Sequence, residues 1–149
     1  MCGRFLNLEG KEIFPSDIVE IQTIQGTMDK IWGVVNTYIG KTVINARAET
    51  VDTLSMFKNM QPCLIPATGY FEWDKDKKKY LFTREDKTII HMAGVYKEDR
   101  FVIITRDAYE EFVPIHNRMP YMISQQDIKS WLKDKQLNTR QEQYIYNIA

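Results

Sequence analysis

The chain has 149 residues, of which 44% are hydrophobic, including seven Phe, eight Tyr and three Trp. This composition suits one compact domain over residues 1–149 and excludes a disordered chain. Twenty basic residues balance twenty acidic ones, so the formal net charge is zero. The overall charge therefore gives no reason to expect a polyanionic partner, and a nucleic acid would have to bind a local patch.

Two cysteines, Cys2 and Cys63, are too few for a disulfide framework and indicate a reducing compartment. The N-terminus lacks the apolar stretch of a signal peptide, and no run approaches the roughly 18 apolar residues that span a bilayer. Phosphate-loop, dinucleotide-binding and HExxH motifs are absent, and the Cys and His spacing does not suit zinc. We therefore expect a cytoplasmic protein that does not associate with a membrane and binds no metal or cofactor.

The first half of the chain is predicted to mix short strands and helices. Residues 1–5 are predicted to form a short strand, and 30–35 and 42–45 two more. A helix is predicted for 15–24, where Pro-Ser-Asp precedes apolar residues at helical spacing. A second helix is predicted for 52–60, whose apolar positions also recur at helical spacing.

The second half is predicted to be mostly strand. Five apolar runs are separated by short charged turns, at 63–65, 69–73, 80–83, 88–96 and 100–105. Connections this short join antiparallel strands, because parallel strands need a longer crossover. One helical turn is predicted at 107–112, and a helix capped by Ser124 at 124–133. The expected fold is α+β, with an antiparallel sheet or partly closed β-barrel and short flanking helices.

Cys2 is the first of several polar features that could carry chemistry. Removal of Met1 would leave an α-amine, with a pKa of about 7.7–8.0, beside a thiol with a pKa of about 8.5. Such a 1,2-aminothiol condenses with an aldehyde to an imine, which the thiol then closes to a thiazolidine ring. The alternative is an ordinary residue on a frayed terminus, and position alone favours this alternative.

Two further candidates could move protons. Glu72 lies in the aromatic run 69–73, where burial would raise its pKa toward that of a proton shuttle. Its alternative is a place on the wet face of an alternating strand. His116 lies in a proline-bracketed loop and could exchange a proton near neutral pH. A hydrogen-bonded structural histidine is the alternative there, and His91 is interpreted as a core or strand residue.

Asn45, Arg47 and Glu49 occupy alternate positions after an apolar strand. If the strand continues, their side chains point to one face. Arg47 suits a phosphate, and Asn45 suits a sugar or carbonyl oxygen. The alternative is an internal ion pair between Arg47 and Glu49.

Six segments of the chain, in this order, resemble the SRAP family, the SOS response-associated peptidases or abasic-site processing proteins. The segments are MCGRF at 1–5, Trp-Gly at 32–33, NARAET at 45–50, CLIPA with GYFEW at 63–73, AGVY at 93–96 and IHNRMP at 115–120. Each segment is a weak signal alone, whereas six in order are a strong one. The chain is therefore identified as a short, phage-type member of this family.

The resemblance implies a specific chemistry. Family members bind single-stranded DNA, and their N-terminal Cys forms a thiazolidine with the ring-opened sugar of an abasic site. By this likeness, Cys2 is the nucleophile, Asn45 holds the sugar oxygens, Glu72 moves protons, and His116 assists sugar opening or reversal. The name peptidase refers to autoproteolytic removal of the residue before the Cys, which is hydrolase chemistry. The resemblance to abasic-site processing proteins also implies lyase-type chemistry.

The resemblance also implies a DNA surface. It assigns DNA contacts to five residues, Arg4, Trp32, Arg47, Thr105 and Arg118. Arg4 and Arg47 would contact phosphates, and Trp32 would stack on a base, which is worth about 1–3 kcal/mol. The expected partner is single-stranded DNA that contains abasic sites, bound by a monomer.

The chain departs from the family pattern at several points. It lacks a Tyr-Asn-x-Ala-Pro segment before Trp-Gly, has Asn36 where a Pro is common, has Asn117 where an Asp is usual, and lacks the usual C-terminal portion. Two alternatives therefore stay open. One is a thiol peptidase that acts on its own or other N-termini. The other is a non-catalytic module that binds single-stranded DNA.

Overall fold

The computed structural model describes residues 2–138 and 142–149. Met1, on whose removal the expected chemistry depends, lies outside these residues. The described part contains fourteen β-strands, one α-helix and two 3₁₀ turns. These are β1 Phe5–Leu6, β2 Glu12–Ile13, β3 Ile18–Thr23, β4 Gly26–Trp32, β5 Val34–Asn36, β6 Lys41–Val43, β7 Asn45–Arg47, β8 Gln61–Ala67, β9 Gly69–Trp73, β10 Lys79–Arg84, β11 Ile90–Lys97, β12 Arg100–Asp107, the 3₁₀ turn Glu110–Phe112, β13 Arg118–Pro120, the 3₁₀ turn Gln125–Asp127, α1 Ile128–Asp134 and β14 Tyr144–Ile148.

The strands form two main sheets and a separate hairpin. The first sheet has the order β14-β10-β9-β1-β2 and is antiparallel throughout. The second has the order β11-β8-β3-β4-β12-β13, and pairing of β11 with β12 closes five of its strands into a ring. Only the pairings of β12 with β4 and with β7 are parallel among the described strands. The predicted α+β class, with mainly antiparallel sheet, is confirmed.

The helix predicted for 15–24 is wrong, because most of this segment is strand β3. Val19, Ile21 and Thr23 are buried while Ile18 and Glu20 are exposed, so burial alternates with the period of a strand. Register along β4 pairs Ile18 with Ile31 and Thr23 with Gly26. The β-branched residues also favour a strand.

The helix predicted for 52–60 is also wrong. This segment is a succession of turns, held by bonds such as Leu54 N–H to Thr50 O and Met60 N–H to Phe57 O. Phe57 and Met60 are buried, but Leu54, assigned to the same apolar face, is half exposed. The apolar residues therefore anchor a loop on the core at irregular intervals.

The other predicted elements are confirmed in part. Of the described residues in the predicted strand at 1–5, only Phe5 lies in a strand, and the predicted strands at 30–35 and 42–45 are interrupted at Gly33 and Ile44. The five apolar runs of the second half correspond to β8 to β12, with β11 beginning at Ile90, and the helical turn predicted at 107–112 is the shorter 3₁₀ turn Glu110–Phe112. The predicted helix at 124–133 begins as the 3₁₀ turn Gln125–Asp127 and continues as α1. Ser124 stands at the N-cap, although its side chain makes no capping bond to that turn.

Buried side chains form two apolar clusters, one on each face of the ring sheet. Along β12, Phe101 and Ile103 belong to the first cluster and Val102 and Ile104 to the second. The sheet is thus buried on both faces, which explains its continuous apolar runs. Cys2 is fully buried in the first cluster, so the alternative of a frayed terminus is wrong.

The helices of the structure are short. Within the two described ranges, no helix combines the length and the apolar character needed to cross a bilayer.

Gly94 lies where two strands pack too closely for a side chain. A Cβ at this position would lie 2.5 Å from Ile65 Cδ1 and 2.8 Å from Val102 O. Gly94→Ala should therefore lower the free energy of unfolding by about 1–3 kcal/mol through overpacking, measured by urea denaturation. The matched control is Gly3→Ala, whose Cβ would meet only Ile44 Cδ1, at 3.8 Å. Equal stabilities of the two variants would contradict the packing argument.

Candidate functional site

Strand pairing places Cys2 beside β9. In the antiparallel pair of β1 and β9, Phe5 lies opposite Tyr70, and the Phe71 N–H donates to Arg4 O at 2.9 Å. Continuing this register puts Gly3 opposite Glu72. The start of the chain is therefore tied into the sheet next to the Gly69–Trp73 strand, with the Cys2 side chain in the core.

Asn45 contacts Cys2 directly. Strand β7 runs parallel to β12, with Asn45 in register with Ile103. The Asn45 Nδ2 donates to Cys2 O at 3.1 Å and to Ile103 O at 3.4 Å. Its Oδ1 is buried and accepts no hydrogen bond from any described residue. A buried acceptor without a donor is costly, so this oxygen suits a hydroxyl group of a ligand.

Glu72, which lies between Phe71 and Trp73 along strand β9, is buried. Burial in this apolar setting raises the pKa of Glu72 to about 7. The alternative of a wet strand face for Glu72 is therefore wrong. Burial, followed by the nearby Glu72 carboxylate, also raises the pKa of the Cys2 thiol. The two groups thus interact electrostatically inside one buried site.

His116 lies on the loop that leads into β13. Its neighbour Ile115 packs against the cluster that contains Cys2. The His116 Nδ1 lies 3.2 Å from the Arg118 backbone N and 3.3 Å from Arg118 O. Burial lowers the pKa of His116, so the imidazole is mainly neutral at neutral pH. Its predicted role in sugar opening remains a prediction.

Arg118 is engaged by four acceptors. Its Nη1 donates to Glu49 Oε2 at 2.7 Å and to Asp107 Oδ1 at 2.8 Å, and its Nη2 donates to Glu49 Oε1 at 3.0 Å and to Thr105 Oγ1 at 3.1 Å. All four N–H bonds of the terminal nitrogens are thus used. A phosphate would have to displace one of these acceptors, and buried Thr105 supports Arg118 at this position.

Arg47 and Arg4 are placed differently. The Arg47 side chain is 61% exposed, and its Nη2 lies 3.8 Å from Glu49 Oε2, so the internal ion pair considered as the alternative is present but long. The Arg4 guanidinium lies over the Phe14 ring at 4.1 Å and over the Trp73 ring at 5.0 Å. The Arg4 side chain is 29% exposed, and its Nη1 lies 4.0 Å from Glu12 Oε1.

The structure contradicts the expectation that Trp32 stacks on a base. Its indole is fully buried, its Nε1 donates to Ile44 O at 3.1 Å, and its ring packs 5.2 Å from Phe5. Tyr38 is the exposed aromatic residue of this segment, 98% exposed in the turn between β5 and β6. The sequence signal is an aromatic residue two positions before the turn residue Gly40.

Comparison with known proteins agrees with the resemblance. The family model described as "SOS response associated peptidase (SRAP)" matches residues 13–148. The abasic site processing protein YoaM of Bacillus subtilis is 30% identical over 125 residues, which cover 70% of this chain and 55% of YoaM. YedK of Escherichia coli, also named an abasic site processing protein, is 33% identical over 119 residues, covering 70% of this chain and 54% of YedK. The chain spans about half the length of these curated relatives.

Solved structures share the fold. A protein from Bordetella bronchiseptica superposes with a TM-score of 0.85 at 18% identity, covering 99% of both chains. A phage-related protein from the same organism gives a TM-score of 0.82 at 19% identity, covering 99% of this chain and 94% of the other. The family model spans most of the chain. This chain belongs to the SRAP family.

Proposed function

We propose that this protein captures the ring-opened sugar of an abasic site in single-stranded DNA on Cys2, after removal of Met1. One observation carries the proposal: Cys2 is buried beside the Glu72 carboxylate and is held through its carbonyl by Asn45. The relatives YoaM and YedK are both named abasic site processing proteins. In this chain, processing of such a site would be covalent capture of its aldehyde.

The proposed reaction needs only the protein and the sugar, and no cofactor. The Cys2 α-amine adds to the sugar aldehyde at C1′, and loss of water gives an imine. The Cys2 sulfur then adds to the same carbon, forming the S–C bond while the thiol proton passes to the imine nitrogen. The product is a thiazolidine ring that links protein and DNA. Cyclisation is favoured because thiol and imine belong to one residue.

Glu72 is the group that moves these protons. Because burial keeps the Cys2 thiol protonated, its sulfur needs a base at the moment of attack. A carboxyl with a pKa of about 7 is present in both its acid and base forms at neutral pH. Glu72 can therefore protonate the hydroxyl group that leaves as water, and later carry the thiol proton to the imine nitrogen. Asn45 Oδ1 would accept a hydrogen bond from a sugar hydroxyl, and His116 would take part in opening the sugar ring.

DNA is held by local contacts, since the net charge of the chain is zero. Arg47 and Arg4 supply positive charge for phosphates, and Tyr38 supplies an exposed ring for a base. This arrangement suits single strands, whose bases are open to stacking. Complete burial of Cys2 disfavours the peptidase alternative for other proteins, because a polypeptide substrate would need more access than a sugar.

Cys2→Ala should abolish covalent capture. Protein lacking Met1, incubated with an abasic oligonucleotide, should give an adduct that survives SDS gel electrophoresis, and Cys2→Ala should give none. Cys63→Ala is the matched control, because Cys63 is also buried but lies in β8. An oligonucleotide whose abasic aldehyde has been reduced should give no adduct. If the wild-type protein and the abasic oligonucleotide form no covalent adduct, the proposed function is overturned.

Glu72→Gln should stabilise the protein more at pH 8 than at pH 5. A carboxyl whose pKa is raised on folding binds its proton more tightly in the folded state, so stability falls as pH rises from the unfolded pKa through about 7. The amide does not ionise, so its advantage should grow by about 2 kcal/mol between the two pH values. Urea denaturation measures this, with Glu20→Gln on an exposed strand position as control. A pH-independent difference would contradict the burial of the charge.

Tyr38→Ala should weaken binding to undamaged single-stranded DNA by about 1–3 kcal/mol through loss of base stacking. Tyr38→Phe keeps the ring and should bind like the wild type. Fluorescence anisotropy with a labelled oligonucleotide measures both affinities. If alanine and phenylalanine bind equally well, Tyr38 does not stack on a base.

A further inference from the structure

The Arg118 guanidinium is largely buried, yet one of its partners is an exposed carboxylate. The Arg118 side chain is 10% exposed, whereas that of Glu49 is 46% exposed and that of Asp107 is 81% exposed. Asp107 Oδ1 accepts one hydrogen bond from Nη1, at 2.8 Å, while Glu49 accepts two, at 2.7 Å and 3.0 Å. Arg118 Nε is buried. An anion from solvent would therefore approach the terminal nitrogens, where the most exposed partner is Asp107.

Asp107 is the partner of Arg118 that is easiest to displace. Thr105 is buried, and Glu49 is held through both oxygens, which lowers its pKa to about 2. A two-pronged pair of this kind is stronger than a single bond. The single bond to the exposed Asp107 carboxylate is weak, because water and salt compete for both groups. A phosphate oxygen is also an anionic acceptor, so it can take the place of Asp107 on Nη1.

Strand β12 relates this arginine to the Cys2 region. Asn45, which contacts Cys2, is in register with Ile103 of β12. Asp107 lies four residues further along β12 on the same face, which is about 13 Å at about 3.3 Å per residue. Phosphates of a stacked DNA strand follow one another at about 3.4 Å along its axis. A strand that runs along β12 from a sugar at Cys2 would thus bring a phosphate to Arg118 within about four nucleotides.

We propose that Asp107 is a specificity-determining residue: its carboxylate occupies a phosphate position on Arg118 and thereby weakens binding to undamaged single-stranded DNA. The inference rests on the proposed function, in which DNA lies beside Cys2. A phosphate gains the Arg118 contact only by displacing the carboxylate, so this contact adds little affinity. An undamaged strand is held by such contacts alone, whereas an abasic strand is also held by the covalent bond. Asp107 therefore favours abasic strands over the undamaged strands that compete for the protein.

Asp107→Asn should bind undamaged single-stranded DNA about three- to tenfold more tightly than the wild type at low salt. In the wild type, the displaced carboxylate takes up a cation while the phosphate releases one, whereas the amide takes up none. The plot of log affinity against log salt concentration should therefore become steeper by about 0.7, the value for one phosphate of a single strand. Fluorescence anisotropy with a labelled oligothymidine measures both quantities.

The matched control is Asp29→Asn, which removes the same charge from an exposed position on β4. If Asp107→Asn gains no more affinity than Asp29→Asn, or binds no DNA, the inference is overturned. In the Arg118→Gln background, Asp107→Asn should gain no more than Asp29→Asn does, because its effect acts through Arg118. A larger gain there would also overturn the inference. If Arg118→Gln does not fold, the Asp29 comparison and the salt dependence still decide.

The second test measures selectivity. Adduct formation with a subsaturating abasic oligonucleotide is followed while undamaged oligonucleotide is added as competitor. The competitor concentration that halves the rate should be about three- to tenfold lower for Asp107→Asn than for the wild type, in proportion to its tighter binding. Equal competitor concentrations for the two proteins would overturn the role in selectivity. If the wild type forms no adduct without competitor, the proposed function fails, and the affinity measurement still decides whether Asp107 opposes a phosphate.

Discussion

The pairing of β1 with β9 is the contact on which the site depends. Two residues of β1 and the Arg4 carbonyl attach the start of the chain to β9, and β9 is itself held on its other side by β10. Without this pairing, Cys2 would have no fixed relation to Glu72. A backbone contact that involves few side chains thus brings together two buried ionisable groups that lie 70 positions apart in the sequence.

Strand β12 positions two other polar residues of the site, Asn45 and Arg118. Its parallel pairing with β7 sets Asn45 against Cys2, and its antiparallel pairing with β13 sets Arg118 beside Thr105 and Asp107. Because β12 is buried on both faces, these two pairings are held rigidly. The polar groups of the site therefore lie on strands and on the loops next to them, which gives more exact placement than a mobile loop would.

Much of the fold follows from local sequence, and the exceptions have physical causes. The strands β8 to β12 could be predicted because apolar runs alternate with charged turns. The segment 15–24 could not, because its Pro-Ser-Asp start imitates a helix N-terminus, while its pairing with β4 decides for a strand. Trp32 and Tyr38 show the same limit for the site. Both rings suit stacking by type, and only long-range packing determines that the first is buried and the second exposed.

Family motifs indicated the candidate site residues, but they could not reveal how these residues are linked. The bond between Glu49 and Arg118 joins residues 69 positions apart, and the unsatisfied Asn45 oxygen is visible only once its surroundings are known. Sequence patterns describe neighbours along the chain. Hydrogen-bond networks depend on the pairing of distant strands.

The burial of Cys2 has a consequence for the lifetime of the protein. Peroxide and other oxidants attack the thiolate, and they do so at exposed sites. In this fold the thiol is shielded from solvent and kept protonated, so its resting state resists oxidation to sulfenic acid. The same burial that raises the pKa of Glu72 thus also protects the Cys2 sulfur.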